Sequence, residues 1–120
     1  MPAPSAIELR VMAAGETPDD ARDKALNVVR YLESVIGKYI FGRGDDTLEA
    51  VAGQLLVDND KTLAVAESCT GGELGMLITS VPGSSRYFLG GLVAYANSVK
   101  TDQLGVDPAI IETHGAVSAE

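Results

Sequence analysis

The spacing of apolar residues changes along this chain, and each change marks an element. Ile7, Leu9 and Val11 alternate with Glu8 and Arg10, the period of a half-buried strand that Gly15 ends. Thr17-Pro18-Asp19-Asp20 then predicts a helix start: a capping hydroxyl, Pro in the first turn, and acids facing the positive end of the dipole. Ala21, Ala25, Val28, Val29, Leu32 and Ile36 recur every three or four residues as one apolar stripe, and Gly37 closes the helix. Lys38 to Phe41 has the length and character of a second short strand.

Gly42-Arg43-Gly44-Asp45-Asp46 has nothing to bury and reads as a boundary. Asp46 with Glu49 predicts a capping box for a helix whose apolar face is Leu48, Val51, Leu55 and Leu56, ending at Asp58-Asn59-Asp60. Strands and helices then alternate. Thr62 to Ala66 is a small apolar run typical of a buried strand, followed at Glu67-Ser68-Cys69-Thr70-Gly71-Gly72 by a turn and a helix to about Thr79. Val81-Pro82-Gly83-Ser84-Ser85 is a turn, and Tyr87 to Tyr95 a strand loosened at Gly90-Gly91. Asn97 caps a helix ending before Gly105, and Asp107-Pro108 starts one that Gly115 ends. Ser118-Ala119-Glu120 reads as the first residues of a further helix, so the chain is expected to be a piece of a longer one. The predicted fold class is α/β: a small strand-helix-strand unit over residues 1–43, then an incomplete alternating strand/helix domain over 44–120.

Composition narrows the function. Of 120 residues, 46% are hydrophobic but only 5% aromatic, so a core must be built from Ala, Val, Leu and Ile. The net charge of -8 and nine scattered basic residues argue against nucleic acid, which needs clustered Lys and Arg. A local site of backbone N–H groups and one Lys still suits a small anionic molecule. No apolar stretch reaches a membrane span, Met1 to Ser5 has no signal-peptide pattern, and the single Cys69 fits a reducing compartment; a cytoplasmic protein is expected.

The turn after the Thr62–Ala66 run carries the candidate chemistry. A polar residue at a sharp strand-to-helix turn is presented away from the sheet, beside helix N–H groups able to hold an anion or oxyanion. Ser68 can be an acyl nucleophile and Thr70-Gly71-Gly72 its cradle; equally, Ser68 and Thr70 can be caps and the glycines a tight turn. A nucleophilic Ser needs a base. His114 sits at a helix C-terminus, where the dipole alone favours it. Lys100 is the stronger candidate: Ser68 and Tyr95 both stand at carboxyl ends of strands, where functional groups gather in a parallel sheet, and Lys100 follows Tyr95 closely. Asn97 can bind substrate or merely cap, and Glu67 can orient a substrate group or buttress the turn. Cys69 is expected to be a small buried residue. No His, Cys and carboxylate cluster has metal-ligand spacing, and neither metal nor cofactor is expected.

In order, Glu67-Ser68-Cys69-Thr70-Gly71-Gly72, Val81-Pro82-Gly83-Ser84-Ser85, Gly90-Gly91-Leu92-Val93-Ala94-Tyr95, Asn97, Lys100, Leu104-Gly105-Val106 and His114-Gly115-Ala116-Val117-Ser118 resemble the competence/damage-inducible CinA family, from about residue 47 onward. Residues 1–43 are similar to the small α/β, KH-like domain that precedes the amidase domain in its members. The resemblance implies a nicotinamide-nucleotide amidohydrolase, converting nicotinamide mononucleotide to nicotinic acid mononucleotide and ammonia. It implies Ser68 as nucleophile and Lys100 as base with Tyr95 nearby. Glu67, Thr70, Gly71, Gly72 and Asn97 would serve the substrate. The family's large domain associated with ADP-ribose pyrophosphatase activity is absent, so a pyrophosphatase ranks last among the readings; a non-catalytic nucleotide-binding module ranks second. The implied partners are a small nucleotide substrate and either further copies of the chain or the missing part, and the isolated chain is expected to be weakly active or inactive.

Overall fold

The computed structural model describes residues 6–119. The chain parts into two compact units between Val51 and Ala52.

The first unit is dominated by helix α1, Pro18–Ile36. Thr17 caps it as expected, its side chain accepting from the Asp20 N–H, and Lys24 pairs with Asp20 at 2.8 Å one turn on. Neither expected strand of this unit forms. Residues 6–15 adopt no regular structure, with Ile7 90% exposed. A strand exists only through hydrogen bonds to a neighbour, and among the described residues none is offered to this segment. Gly37 does not stop α1 in a left-handed conformation; it stays right-handed at φ -52° and opens a 3-10 turn, Gly37–Tyr39, whose carbonyl at Gly37 accepts the Ile40 N–H. That local bond uses an amide the second strand would have needed.

Helix α2, Leu48–Asp58, starts one residue later than the proposed capping box. Thr47 caps it, accepting from the Ala50 N–H at 3.3 Å, while Asp46 folds back on the Arg43 N–H and closes the loop before it. The end of α2 is sharply defined. Asp60 turns left-handed (φ 51°), the Lys61 N–H reaches the Leu56 carbonyl, and the Asp60 N–H reaches Val57.

The second unit is a strand-helix-strand crossover: β1 (Leu63–Glu67), α3 (Glu73–Thr79) and β2 (Phe88–Val93), the strands pairing in parallel. The fold class is therefore α/β, as the alternating pattern predicts. The expected loosening at Gly90-Gly91 is a bulge. Leu63 pairs with Phe88 but Ala64 with Gly90, leaving Leu89 as the extra residue. The bulge shifts the phase of β2 by one, so Val65 comes to lie beside Gly91. A Cβ at Gly91 would stand 2.8 Å from Val65 Cγ2, and glycine is what permits the approach.

The core of this unit centres on Tyr87, which is 4% exposed and brings the hydroxyl end of its ring against Gly53 of α2. Ile78 and Ala94 are the other buried apolar residues. Beyond β2 come α4 (Asn97–Leu104), ended by left-handed Gly105, and α5 (Pro108–His114), capped by the Asp107 side chain on the Ala109 N–H. Asn97 is not a cap. It is the first helical residue, and the helix starts instead on Ala96, whose carbonyl accepts from Val99 and Lys100. Ala116 to Ser118 are bends, so no further helix has begun by Ala119; Glu120 lies outside the described residues. No helix among the described residues is long and apolar enough to cross a membrane.

Candidate functional site

The carboxyl ends of β1 and β2 are held side by side by one short bond, from the Ala94 N–H to the Glu67 carbonyl at 2.7 Å. Chain direction reverses in neither strand, so both lead into loops at the same end of the sheet. Ser68 follows β1 and is half-buried there. Lys100, on the second turn of α4, reaches back to the end of β2. Its Nζ donates to the Ala94 carbonyl at 2.8 Å and the Tyr95 carbonyl at 2.7 Å.

Ser68 and Lys100 line the same crevice of about 280 Å3. Its floor is the sheet end at Ala66 and Ala94; its wall is apolar, with Leu104, Val106, Ile110 and Ile111. The spacing of Lys100 from Tyr95 thus brings it to the place the strand-end argument assigns. Neither the wall nor Ala94 is apparent from the sequence. The usable signal is the pair Ile110-Ile111 inside a short capped helix, which otherwise has nothing to pack against.

Glu67 is 6% exposed, and its carboxylate turns toward α3. One oxygen accepts the Leu74 N–H and the other the Gly75 N–H, both at 2.8 Å. Burial pushes this carboxyl up, but the bonds from Gly75 and Leu74, with the Thr70 hydroxyl and the Gly72 N–H, outweigh it and hold the group below the usual carboxylate range. These are the orphan N–H groups that every helix start leaves open. Here a side chain of the protein satisfies them.

The other expected site residues are placed apart from the crevice lining. Tyr95 is 73% exposed and contributes its carbonyl, not its ring, to Lys100. Thr70, Gly71 and Gly72 form the turn into α3, the two glycines left-handed at φ 61° and 103°, and Asn97 is exposed at the start of α4. His114 ends α5, also exposed. Cys69 is exposed and not the small buried residue expected, because the turn points it away from the sheet that Ser68 adjoins.

The family model of the CinA C-terminal domain matches residues 45–120. The chain belongs to the CinA family. It is 48% identical over 112 residues to a CinA-like protein of Synechococcus sp. (strain CC9902), covering 93% of this chain and 27% of that protein. It is 45% identical over 118 residues to a CinA-like protein of Chlorobaculum tepidum, covering 98% of this chain and 28% of the relative. The chain thus spans little more than a quarter of the curated relatives it matches. Among solved structures, the competence damage-inducible protein A (ComA) of Klebsiella pneumoniae superposes with a TM-score of 0.59 at 29% identity, over 60% of this chain and 45% of that one. A CinA superfamily protein of Escherichia coli gives 0.58 at 27% identity, over 69% and 51%.

Proposed function

We propose that this chain carries the nucleophile and base of a nicotinamide-nucleotide amidohydrolase, with Ser68 attacking a carboxamide and Lys100 moving its proton. The supporting observation is that both side chains line one crevice at the carboxyl ends of two parallel strands. Lys100 is held at this crevice by its donations to the Ala94 and Tyr95 carbonyls.

In this reading Ser68 Oγ adds to the amide carbonyl as its proton passes to Lys100. The proton then goes to the leaving nitrogen, ammonia departs, and water hydrolyses the Ser68 ester to the carboxylate. The substrate is nicotinamide mononucleotide and the compartment the cytoplasm. Because the chain spans about 28% of its relatives, we assign the rest of the pocket to a further part of the protein or another copy, and expect weak turnover from this chain alone.

A phosphate-binding module without catalysis is less well supported. Its ligand would have to displace the Glu67 carboxylate from the amides of Leu74 and Gly75.

The test is product analysis of nicotinamide mononucleotide incubated with the chain and with Ser68→Ala. Nicotinic acid mononucleotide and ammonia from the first alone are expected. Equal release by both would withdraw the nucleophile's role from Ser68, and none from either would mean that the chain needs the rest of the pocket to turn over.

A further inference from the structure

Glu67 is a buried ionisable side chain to which the proposed reaction gives no task. Its neighbours on the chain explain its geometry. Glu67 is the last residue of β1 and turns its carboxylate to α3, and Ser68, the bend that follows it directly, lines the crevice that Glu67 also borders. Glu67 is held at two places. Its carboxylate takes the Leu74 and Gly75 amides, and its own carbonyl takes the Ala94 N–H. Ala94, 2% exposed, is held on its other side as well, its carbonyl accepting from Lys100 Nζ. Three hydrogen-bonded contacts, joined by the covalent frames of Glu67 and Ala94, therefore link the start of α3 to Lys100, with Ser68 covalently attached to Glu67.

We propose that Glu67 is a positioning residue: by clamping the end of β1 to the start of α3, it sets where Ser68 stands relative to Lys100, through Ala94. The inference rests on the reading of Ser68 and Lys100 as the reacting pair. Gly75 belongs to the clamp, because a Cβ there would lie 3.3 Å from Glu67 Oε1 and press on the carboxylate. Glycine inside a seven-residue helix is otherwise a poor choice.

The experiment compares the wild-type chain with Glu67→Gln and Gly75→Ala by two readouts. Glutamine keeps the shape of glutamate but presents an NH2 group to one of the two amides. By NMR, hydrogen exchange at Leu74 and Gly75 is expected to rise by about tenfold or more in Glu67→Gln. The Lys100 Nζ signal should shift as well, although its hydrogen bonds go to Ala94 and Tyr95 and not to Glu67 or α3. In ammonia release from nicotinamide mononucleotide, kcat is expected to fall by about 10- to 100-fold, with KM within about threefold of wild type. Gly75→Ala, which leaves the charge intact and carries the test should Glu67→Gln fail to fold, is expected to move both readouts the same way by a smaller amount.

An unmoved Lys100 signal with freely exchanging Leu74 and Gly75 would overturn the proposal, leaving Glu67 a helix anchor only. So would unchanged kcat, or a loss confined to KM, in a chain whose turnover depends on Ser68. Release that survives Ser68→Ala would instead remove the reading of Ser68 as nucleophile, and the NMR readout would still decide the clamp by itself.

Discussion

The two units of this chain use apolar residues in different ways. In the first, α1 carries the longest and most regular apolar stripe in the sequence, yet none of its residues is buried, and Val28 is 46% exposed. In the second, the apolar pattern is short and broken by glycines, yet it yields the buried residues Ile78, Tyr87 and Ala94 and a crevice. Regular periodicity builds a helix from local bonds alone. Burial depends on what approaches from elsewhere in the chain, and there the glycines decide. Gly53 admits the Tyr87 ring, Gly91 admits Val65, and Gly75 admits the Glu67 carboxylate.

The largest effect should come from the second unit's crevice. Replacing Lys100 by Met keeps much of the stem but removes the amine and its bonds to Ala94 and Tyr95. Ammonia release from nicotinamide mononucleotide is expected to drop by about 1000-fold or more, with KM little changed. A loss in KM alone would mean that Lys100 holds substrate without moving a proton.

Next is Gly53→Ala. A Cβ at Gly53 would stand 2.6 Å from Tyr87 Cζ, a ring with no open side to move into. Overpacking of this kind costs about 1–3 kcal/mol, against up to about 1 kcal/mol returned by the better helix propensity of alanine. Urea unfolding should show a lower midpoint, and an unchanged or raised midpoint would mean that Tyr87 is not the centre of the unit.

A third test uses acid. The Glu67 carboxyl is held below its ordinary value, so its stabilisation is fully present above about pH 4.3 and is lost as pH falls through the folded value below that. Unfolding followed by circular dichroism should therefore steepen with acid in the wild-type chain and less so in Glu67→Gln. Equal acid profiles would mean that the carboxylate bonds to α3 add nothing to the fold.

The smallest effect belongs to the first unit. Val28→Ala on the α1 stripe should change stability by less than about 0.5 kcal/mol, since a side chain 46% exposed loses little and alanine favours the helix. A larger loss would show that the α1 stripe is covered in solution.

What the sequence discloses follows the same division. Helix starts were legible wherever a side chain signals them locally, as Thr17 does for α1 and Asp107 for α5. Asp46 and Asn97 have the right chemistry one position away from the starts the backbone adopts: the Thr47 hydroxyl takes the free Ala50 amide at α2, and α4 starts on Ala96 with no side-chain cap. The strand expected over Ile7–Val11 fails because alternation records a preference for pairing and cannot supply the partner. The β1–β2 pair was legible because a short apolar run, a Gly-rich turn and a helix together specify a crossover. In the crevice, strand-end logic pointed to Ser68 and Lys100. It could not reveal the apolar wall or the role of Ala94, which depend on how α4 and α5 fold back.

The most direct test of the central claim is a double-mutant cycle on ammonia release from nicotinamide mononucleotide, using Ser68→Ala, Lys100→Met and the pair together. If the two side chains act as one unit, each single variant should be as inactive as the double. Losses that add independently, or turnover that persists without Ser68, would contradict the account.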